Sequence, residues 1–187
     1  ASNGNHLFTL YGIKGYITST HYSHNGKFIV TASRDNRAKI WDAETGELLN
    51  QYRGGLNKSV NFALFSPDDK QLLTSFGRGT KIWDVKTGKK ISTTKRHHAA
   101  TMNAIYSNLG NKIITYSFEN DAKIWDAKNG KIYATLLGHT GEIKSAKFSA
   151  DEKTVVTCAT DQSARLWDAT TGKLLMVFKG HTQDIWQ

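Results

Sequence analysis

Lys39-Ile40-Trp41-Asp42, Lys81-Ile82-Trp83-Asp84, Lys123-Ile124-Trp125-Asp126 and Arg165-Leu166-Trp167-Asp168 are four copies of one tetrapeptide. Their tryptophans fall at 41, 83, 125 and 167, a constant step of 42 residues. A period of that length marks a chain built from one supersecondary unit used repeatedly, in which no unit buries its apolar face alone.

The unit is clearest around the last copy. Ile143-Lys144-Ser145-Ala146-Lys147-Phe148-Ser149 alternates as a half-buried strand does, and Ala150 to Lys153 is a polar turn. Thr154-Val155-Val156-Thr157-Cys158-Ala159 is a β-branched run suited to a strand covered on both faces. Asp161-Gln162 turns the chain into Ala164-Arg165-Leu166-Trp167, and Thr171-Gly172 turns it into Leu174 to Phe178. Four short antiparallel strands follow, with no helical periodicity. The other second strands are Phe28-Ile29-Val30-Thr31, Leu72-Leu73-Thr74 and Ile113-Ile114-Thr115. Gly46, Gly88, Gly130 and Gly172 end the turns before each fourth strand, where a positive φ favours glycine. Pro67 suits the second position of the turn Ser66-Pro67-Asp68-Asp69.

Such units predict an all-β propeller with blades over 12–53, 55–95, 97–137 and 139–179. These residues closely resemble the WD-repeat family of β-propellers over nearly the whole chain. The family opens a repeat with Gly-His and closes it with Trp-Asp, as Gly138-His139 and Trp167-Asp168 do. The resemblance implies a buried network of His, Ser/Thr, Asp and Trp in each blade. His139, Thr157, Asp161 and Trp167 match it in the fourth copy; His97, Thr115 and Trp125 match in the third, with Glu119 where Asp is usual. The first copy has Thr31, Asp35 and Trp41 but Ile13 in place of His. In the second, which keeps Trp83, Leu56 replaces His, and Phe76-Gly77-Arg78-Gly79 has lost the turn Asp and one residue, so a differently shaped turn is expected.

The blade count does not close. Residues 6–11 read as the outermost strand of a preceding blade, and 180–187 as the start of a following one. The opening Ala1-Ser2-Asn3-Gly4-Asn5 has no Met and reads as an internal cut or an added remnant. The expectation is a single partial propeller over 1–187, part of a larger ring. Closure between chains, with self-association through open blade edges, and closure of this chain on itself are the alternatives.

Composition bounds the function. The 187 residues, 39% hydrophobic and 22% charged, suit a globular protein with a sizeable core. No apolar run approaches the ~20 residues of a membrane helix, so no membrane partner is expected. The single cysteine, Cys158, suits a reducing compartment, and a cytoplasmic location is the default. The net charge of +9 fits either solubility and edge protection or attraction to nucleic acid, an anionic membrane or an acidic protein.

His97, His139 and His181 recur at 42 residues, so each holds the same corner of a different blade and no metal is expected, despite the neighbouring His98. Asp42, Asp84, Asp126 and Asp168 repeat one turn and do not make an acid/base pair of unlike environments. With no nucleophile elbow, zinc-binding helix or phosphate loop, neither catalysis nor a cofactor is expected. The densest basic stretch is Arg78, Lys81, Lys86, Lys89, Lys90, Lys95 and Arg96. It reads either as edge protection or as a nucleic-acid or polyanion site. The family resemblance implies partner binding at the rim of the narrow face, by position Tyr16, Arg34, Ser59, Phe118, Glu142 and Thr160. The predicted function is a non-enzymatic protein-interaction scaffold or sensor module, with nucleic-acid binding as the alternative.

Overall fold

The computed structural model describes residues 6–54, 59–94, 97 and 100–183. Leu56, Lys95, Arg96, His98 and residues 184–187, on which some expectations fall, lie outside the described residues. Sixteen strands form four antiparallel sheets, each ordered as the chain runs, and no helix occurs among the described residues. Sheet 1 holds β1 (Ile17–Tyr22), β2 (Phe28–Ser33), β3 (Arg37–Asp42) and β4 (Leu48–Arg53). Sheet 2 holds β5 (Val60–Phe65), β6 (Gln71–Phe76), β7 (Gly79–Asp84) and β8 (Lys90–Thr93). Sheet 3 holds β9 (Thr101–Tyr106), β10 (Lys112–Ser117), β11 (Asp121–Asp126) and β12 (Ile132–Leu137). Sheet 4 holds β13 (Ile143–Phe148), β14 (Thr154–Ala159), β15 (Ala164–Asp168) and β16 (Leu174–Phe178).

The core lies between sheets, because each sheet has an apolar face that only its neighbour covers. Val30, Ala32, Ile40 and Tyr52 of sheet 1 meet Val60, Ala63, Phe65 and Leu72 of sheet 2. Leu73 and Ile82 then meet Ala104, Ile113 and Trp125. Ile114, Ile124 and Leu136 meet Ile143, Val155 and Trp167. Trp83, Trp125 and Trp167 each pack against the sheet before their own.

The repeated Asp makes the turn before the outer strand. Asp42, Asp84, Asp126 and Asp168 accept backbone N–H bonds from Thr45, Thr87, Asn129 and Thr171 at 2.8, 2.6, 3.0 and 2.7 Å. The glycine that follows has φ of 74°, 68°, 69° and 72° in the four sheets. Gly130 is doubly constrained, since a Cβ there would stand 2.6 Å from the Thr93 carbonyl oxygen of the preceding sheet. Gly26, at φ +71°, faces open space. Gly26→Ala is therefore expected to cost only the left-handed backbone penalty of about 1–2 kcal/mol, and Gly130→Ala clearly more. Urea unfolding midpoints of the two variants check the order; equal losses would show that sheet 3's turn is not pressed on sheet 2.

Two turns clip neighbouring sheets together. Asp69, at φ 57°, accepts the N–H groups of His24 and Asn25 at 2.8 and 2.9 Å. Glu152, at φ 58°, accepts that of Leu109 at 2.5 Å. Between sheets 2 and 3 the partner position is Pro67, which has no N–H to offer, and Gly110 packs against its ring.

Residues 6–11 are a correction: they form no strand, having no sheet to pair with among the described residues. They nevertheless stand where an outer strand would. Phe8 lies against Gly46, as Asn50, Thr93 and Ala134 of the outer strands β4, β8 and β12 lie against Gly88, Gly130 and Gly172. Residues 180–183 likewise carry no strand. In sheet 2 the shortened sequence closes as a two-residue turn, Gly77-Arg78, with Phe76 opposite Gly79.

Candidate functional site

Every sheet carries the tryptophan anchor. The indole N–H groups of Trp41, Trp83, Trp125 and Trp167 donate to the hydroxyls of Thr31, Thr74, Thr115 and Thr157 at 2.9, 2.9, 2.7 and 2.8 Å. In sheet 4 the bond extends through His139, whose Nε2 is 2.7 Å from Thr157 Oγ1 and whose Nδ1 is 2.8 Å from Asp161. Sequence reasoning missed what fills this corner where His is absent. Lys39 reaches back to the Gly12 carbonyl and pairs with Asp35 at 3.7 Å. Lys81 donates to the Gly54 carbonyl at 2.6 Å, its ammonium 4.5 Å from the Phe76 ring. The available signal was a Lys two residues before Trp, with carbonyl partners one 42-residue repeat apart.

Sheet 3 holds the one three-residue ligand cluster among the described residues: atoms of His97, Glu119 and Asp121 lie within 4.8 Å of one another. Glu119 stands 3.6 Å from His97 Nδ1, looser than the Asp161 contact, and Asp121 stands 3.5 Å from it. Lys123 occupies the position a cation would take, 2.9 Å from Asp121 and 3.3 Å from His97 Nδ1. Burial alone would raise the Asp121 carboxyl. The hydrogen bonds and charges of His97 and Lys123 outweigh burial and hold it well below the usual carboxylate range. Lys123 compensates the cluster in part, since Glu119 Oε2 and Asp121 Oδ1 remain buried without a hydrogen-bond partner.

At the end of the sheets where second strands turn into third strands, the inner strands β1 and β5 frame a depression of about 910 Å³. Tyr16, Arg34 and Phe118 line it, drawn from sheets 1 and 3. Arg34 N–H bonds to the Tyr16 carbonyl at 2.9 Å, and the Arg34 guanidinium lies 5.8 Å over the Tyr16 ring. Tyr16 is 78% exposed and Phe118 54%, so Phe118 does not fold down over its own sheet. The wall also includes Thr18, Asn61 and Phe62, which sequence reasoning did not single out. Thr18 Oγ1 donates to the Val60 carbonyl at 2.6 Å, and Asn61 Nδ2 to the Thr101 carbonyl at 3.1 Å. These bonds stitch β1 to β5 and β5 to β9. No residue of the short Gly77-Arg78 turn enters the wall.

The other expected rim residues stand apart. Glu142 and Thr160 bond one another on sheet 4, with Thr160 N–H donating to the Glu142 carbonyl and Glu142 N–H to Thr160 Oγ1, both at 2.9 Å. Ser59 is half-buried and does not line the cavity. The described part of the basic stretch is divided between the two ends of sheet 2. Arg78 lies in the β6–β7 turn, while Lys86 and Lys89 lie in the β7–β8 turn, a strand's length away. Lys90 is exposed on β8, and Lys81 is engaged as described above. A second depression, of about 600 Å³ and lined by Phe28, Ile40, Leu49 and Lys86, lies at the opposite end and holds none of the rim residues.

Four four-stranded antiparallel sheets, stacked face to face and each anchored by a Trp–Thr bond, define a repeat protein of propeller blades. Residues 4–42 and 130–168 match the family model described as WD domain, G-beta repeat. These two stretches match WD repeats, and the four four-stranded antiparallel sheets are consistent with blades of that kind. Curated relatives agree. Eukaryotic translation initiation factor 3 subunit I of Meyerozyma guilliermondii is 39% identical over 74 residues, which cover 40% of this chain and 21% of that protein. Coronin-A of Dictyostelium discoideum is 32% identical over 78 residues, covering 40% of this chain and 17% of that protein. The WD repeat-containing protein 26 homolog of Arabidopsis thaliana is 42% identical over 55 residues, covering 28% of this chain and 9% of that protein. The chain thus spans about a fifth or less of the length of the curated relatives it matches.

Proposed function

We propose that this chain is a non-enzymatic interaction platform that holds a protein or peptide partner at the Tyr16–Arg34–Phe118 cavity. The observation that carries this reading is the convergence of two exposed aromatic rings and an arginine, from different sheets, on one concave site. Aromatic and arginine side chains supply most interface energy once a partner desolvates them. The relatives support it: one is named as a subunit of a larger factor. A cytoplasmic setting accompanies the proposal, in keeping with the lone cysteine.

The four sheets are read as blades of a larger propeller. Val156 and Phe178 on the outward face of sheet 4 are 37% and 45% exposed, whereas Val30 and Tyr52, at the same positions three repeats earlier, are 0% and 3% exposed beneath sheet 2.

Panning a displayed random peptide library against the chain tests the cavity. Enriched peptides are expected to bind the Phe118→Ala and Tyr16→Ala variants about tenfold or more weakly. They are expected to bind unchanged to Leu109→Ala, a control in an exposed turn at the other end of sheet 3. A library yielding no binder sensitive to Phe118 would refute the site.

A further inference from the structure

The electrostatics of the cavity specify its occupant more closely. Among the described residues that line it, Arg34 carries the one formal charge, and no carboxylate faces it. The guanidinium rests over the Tyr16 ring and makes no side-chain hydrogen bond or ion pair among the described residues. Arg37 and Arg165, by contrast, are engaged by Gln51 at 2.6 Å and by Asp161 at 3.6 Å. Stacking on a ring uses the face of a guanidinium and leaves its edge N–H groups, a planar fork matched to a carboxylate, free to donate. Of the neutral donors nearby, the Thr18 hydroxyl and one Asn61 N–H tie the inner strands together, and the Tyr16 hydroxyl and the second Asn61 N–H carry no charge to select an acid. What remains is one unengaged cation beside Phe62 and the exposed Phe118 ring.

We propose that the cavity takes an acidic peptide segment: an Asp or Glu carboxylate received by Arg34, with an adjacent apolar or aromatic side chain against Phe118 and Phe62. This rests on the cavity being the partner site. Charge complementarity selects the acid. An amide or hydroxyl ligand would gain an ordinary hydrogen bond, whereas a carboxylate gains the stronger charge-assisted, bidentate one. The single cation favours a peptide over nucleic acid, whose phosphate backbone is tracked by a groove of several cations. Of the described basic stretch, Arg78 lies at this end of sheet 2 but outside the cavity wall, and Lys86 and Lys89 stand at the other end.

The test uses the peptides enriched by panning on the whole chain, measured by fluorescence anisotropy. Enriched sequences should be rich in Asp or Glu beside an apolar residue. Replacing that acid by its amide should weaken binding about tenfold or more. Arg34→Gln should weaken the acidic peptide to the level of the amide form while leaving the amide form unchanged. Arg34→Glu should make a lysine-containing form the better ligand. Binders that depend on Phe118 but show no acid preference, or an acid preference that persists in Arg34→Gln, would overturn the acidic inference and leave the partner site standing. Absence of any Phe118-dependent binder would overturn both. Tighter, Arg34-dependent binding of a single-stranded oligothymidylate would assign the cavity to nucleic acid and likewise overturn it.

Discussion

Trp125→Ala is expected to lower the unfolding free energy by about 3–5 kcal/mol, the largest single-residue loss anticipated for this chain. Trp125 is 1% exposed and packs with Leu73 and Ile82 of the preceding sheet, so truncation opens a cavity at a sheet-to-sheet interface. The loss has a polar part as well. Its indole N–H donates to Thr115 Oγ1 at 2.7 Å, and the same hydroxyl lies 2.7 Å from His97 Nε2. Removing the ring leaves that buried pair short of one partner. Trp125→Phe should retain much of the packing, lose the N–H bond, and cost clearly less. Urea unfolding measures both variants. A loss below about 1 kcal/mol for the alanine variant would mean that sheets 2 and 3 are not packed as described.

Acid should destabilise the chain in two stages, of which Asp161→Ala removes the second. Burial pushes the His139 imidazole below its ordinary value, and Arg165 adds to this, against the upward pull of Asp161. Burial alone would raise the Asp161 carboxyl. Hydrogen bonds from the Ser163 hydroxyl, the Thr140 N–H and His139, together with the His139 charge, hold it well below the usual carboxylate range. Both folded-state values are depressed, so the unfolded chain binds the extra protons and both contributions are lost as pH falls. The His139 share is present above its unfolded value of about 6.5 and weakens below it, and the Asp161 share begins to go near pH 4. At neutral pH Asp161→Ala should cost about 1–3 kcal/mol, and the gap from the unmodified chain should narrow below about pH 4. Urea midpoints across this range check it. A gap that stays constant down to about pH 3 would show that the carboxylate makes no such bonds in the fold.

The free arginine of the cavity and the ion-paired carboxylates of sheet 3 illustrate one distinction. Lys123 belongs to the repeated tetrapeptide, yet with Asp121, His97 and Glu119 it forms an ion network in which Glu119 Oε2 and Asp121 Oδ1 stay buried without a hydrogen-bond partner. Arg34 has no such company among the described residues. A charge engaged within its own sheet stabilises that sheet; one left over at a concave mouth is available to a partner.

The strand content, the order of strands within each sheet and the turn glycines were determined by the amino-acid sequence alone. These are local properties: alternation of period two, β-branched runs, and glycine where φ must be positive all act within a few residues. The 42-residue step of Trp41, Trp83, Trp125 and Trp167 then made one sheet the unit of the whole chain. Only the tertiary structure decided that residues 6–11 stand in an outer strand's place without forming one, because a strand needs a ladder partner that no local pattern supplies. It also decided that Lys39 and Lys81 fill the corners left without histidine, by reaching carbonyls 27 residues away in the chain. Tyr16, Arg34 and Phe118 were legible as rim residues, but so were Ser59, Glu142 and Thr160, which do not join them. Which turns converge on one cavity depends on how each sheet is angled against the next. That angle is set by the volumes packed between sheets, a property of paired faces that no single stretch of sequence carries.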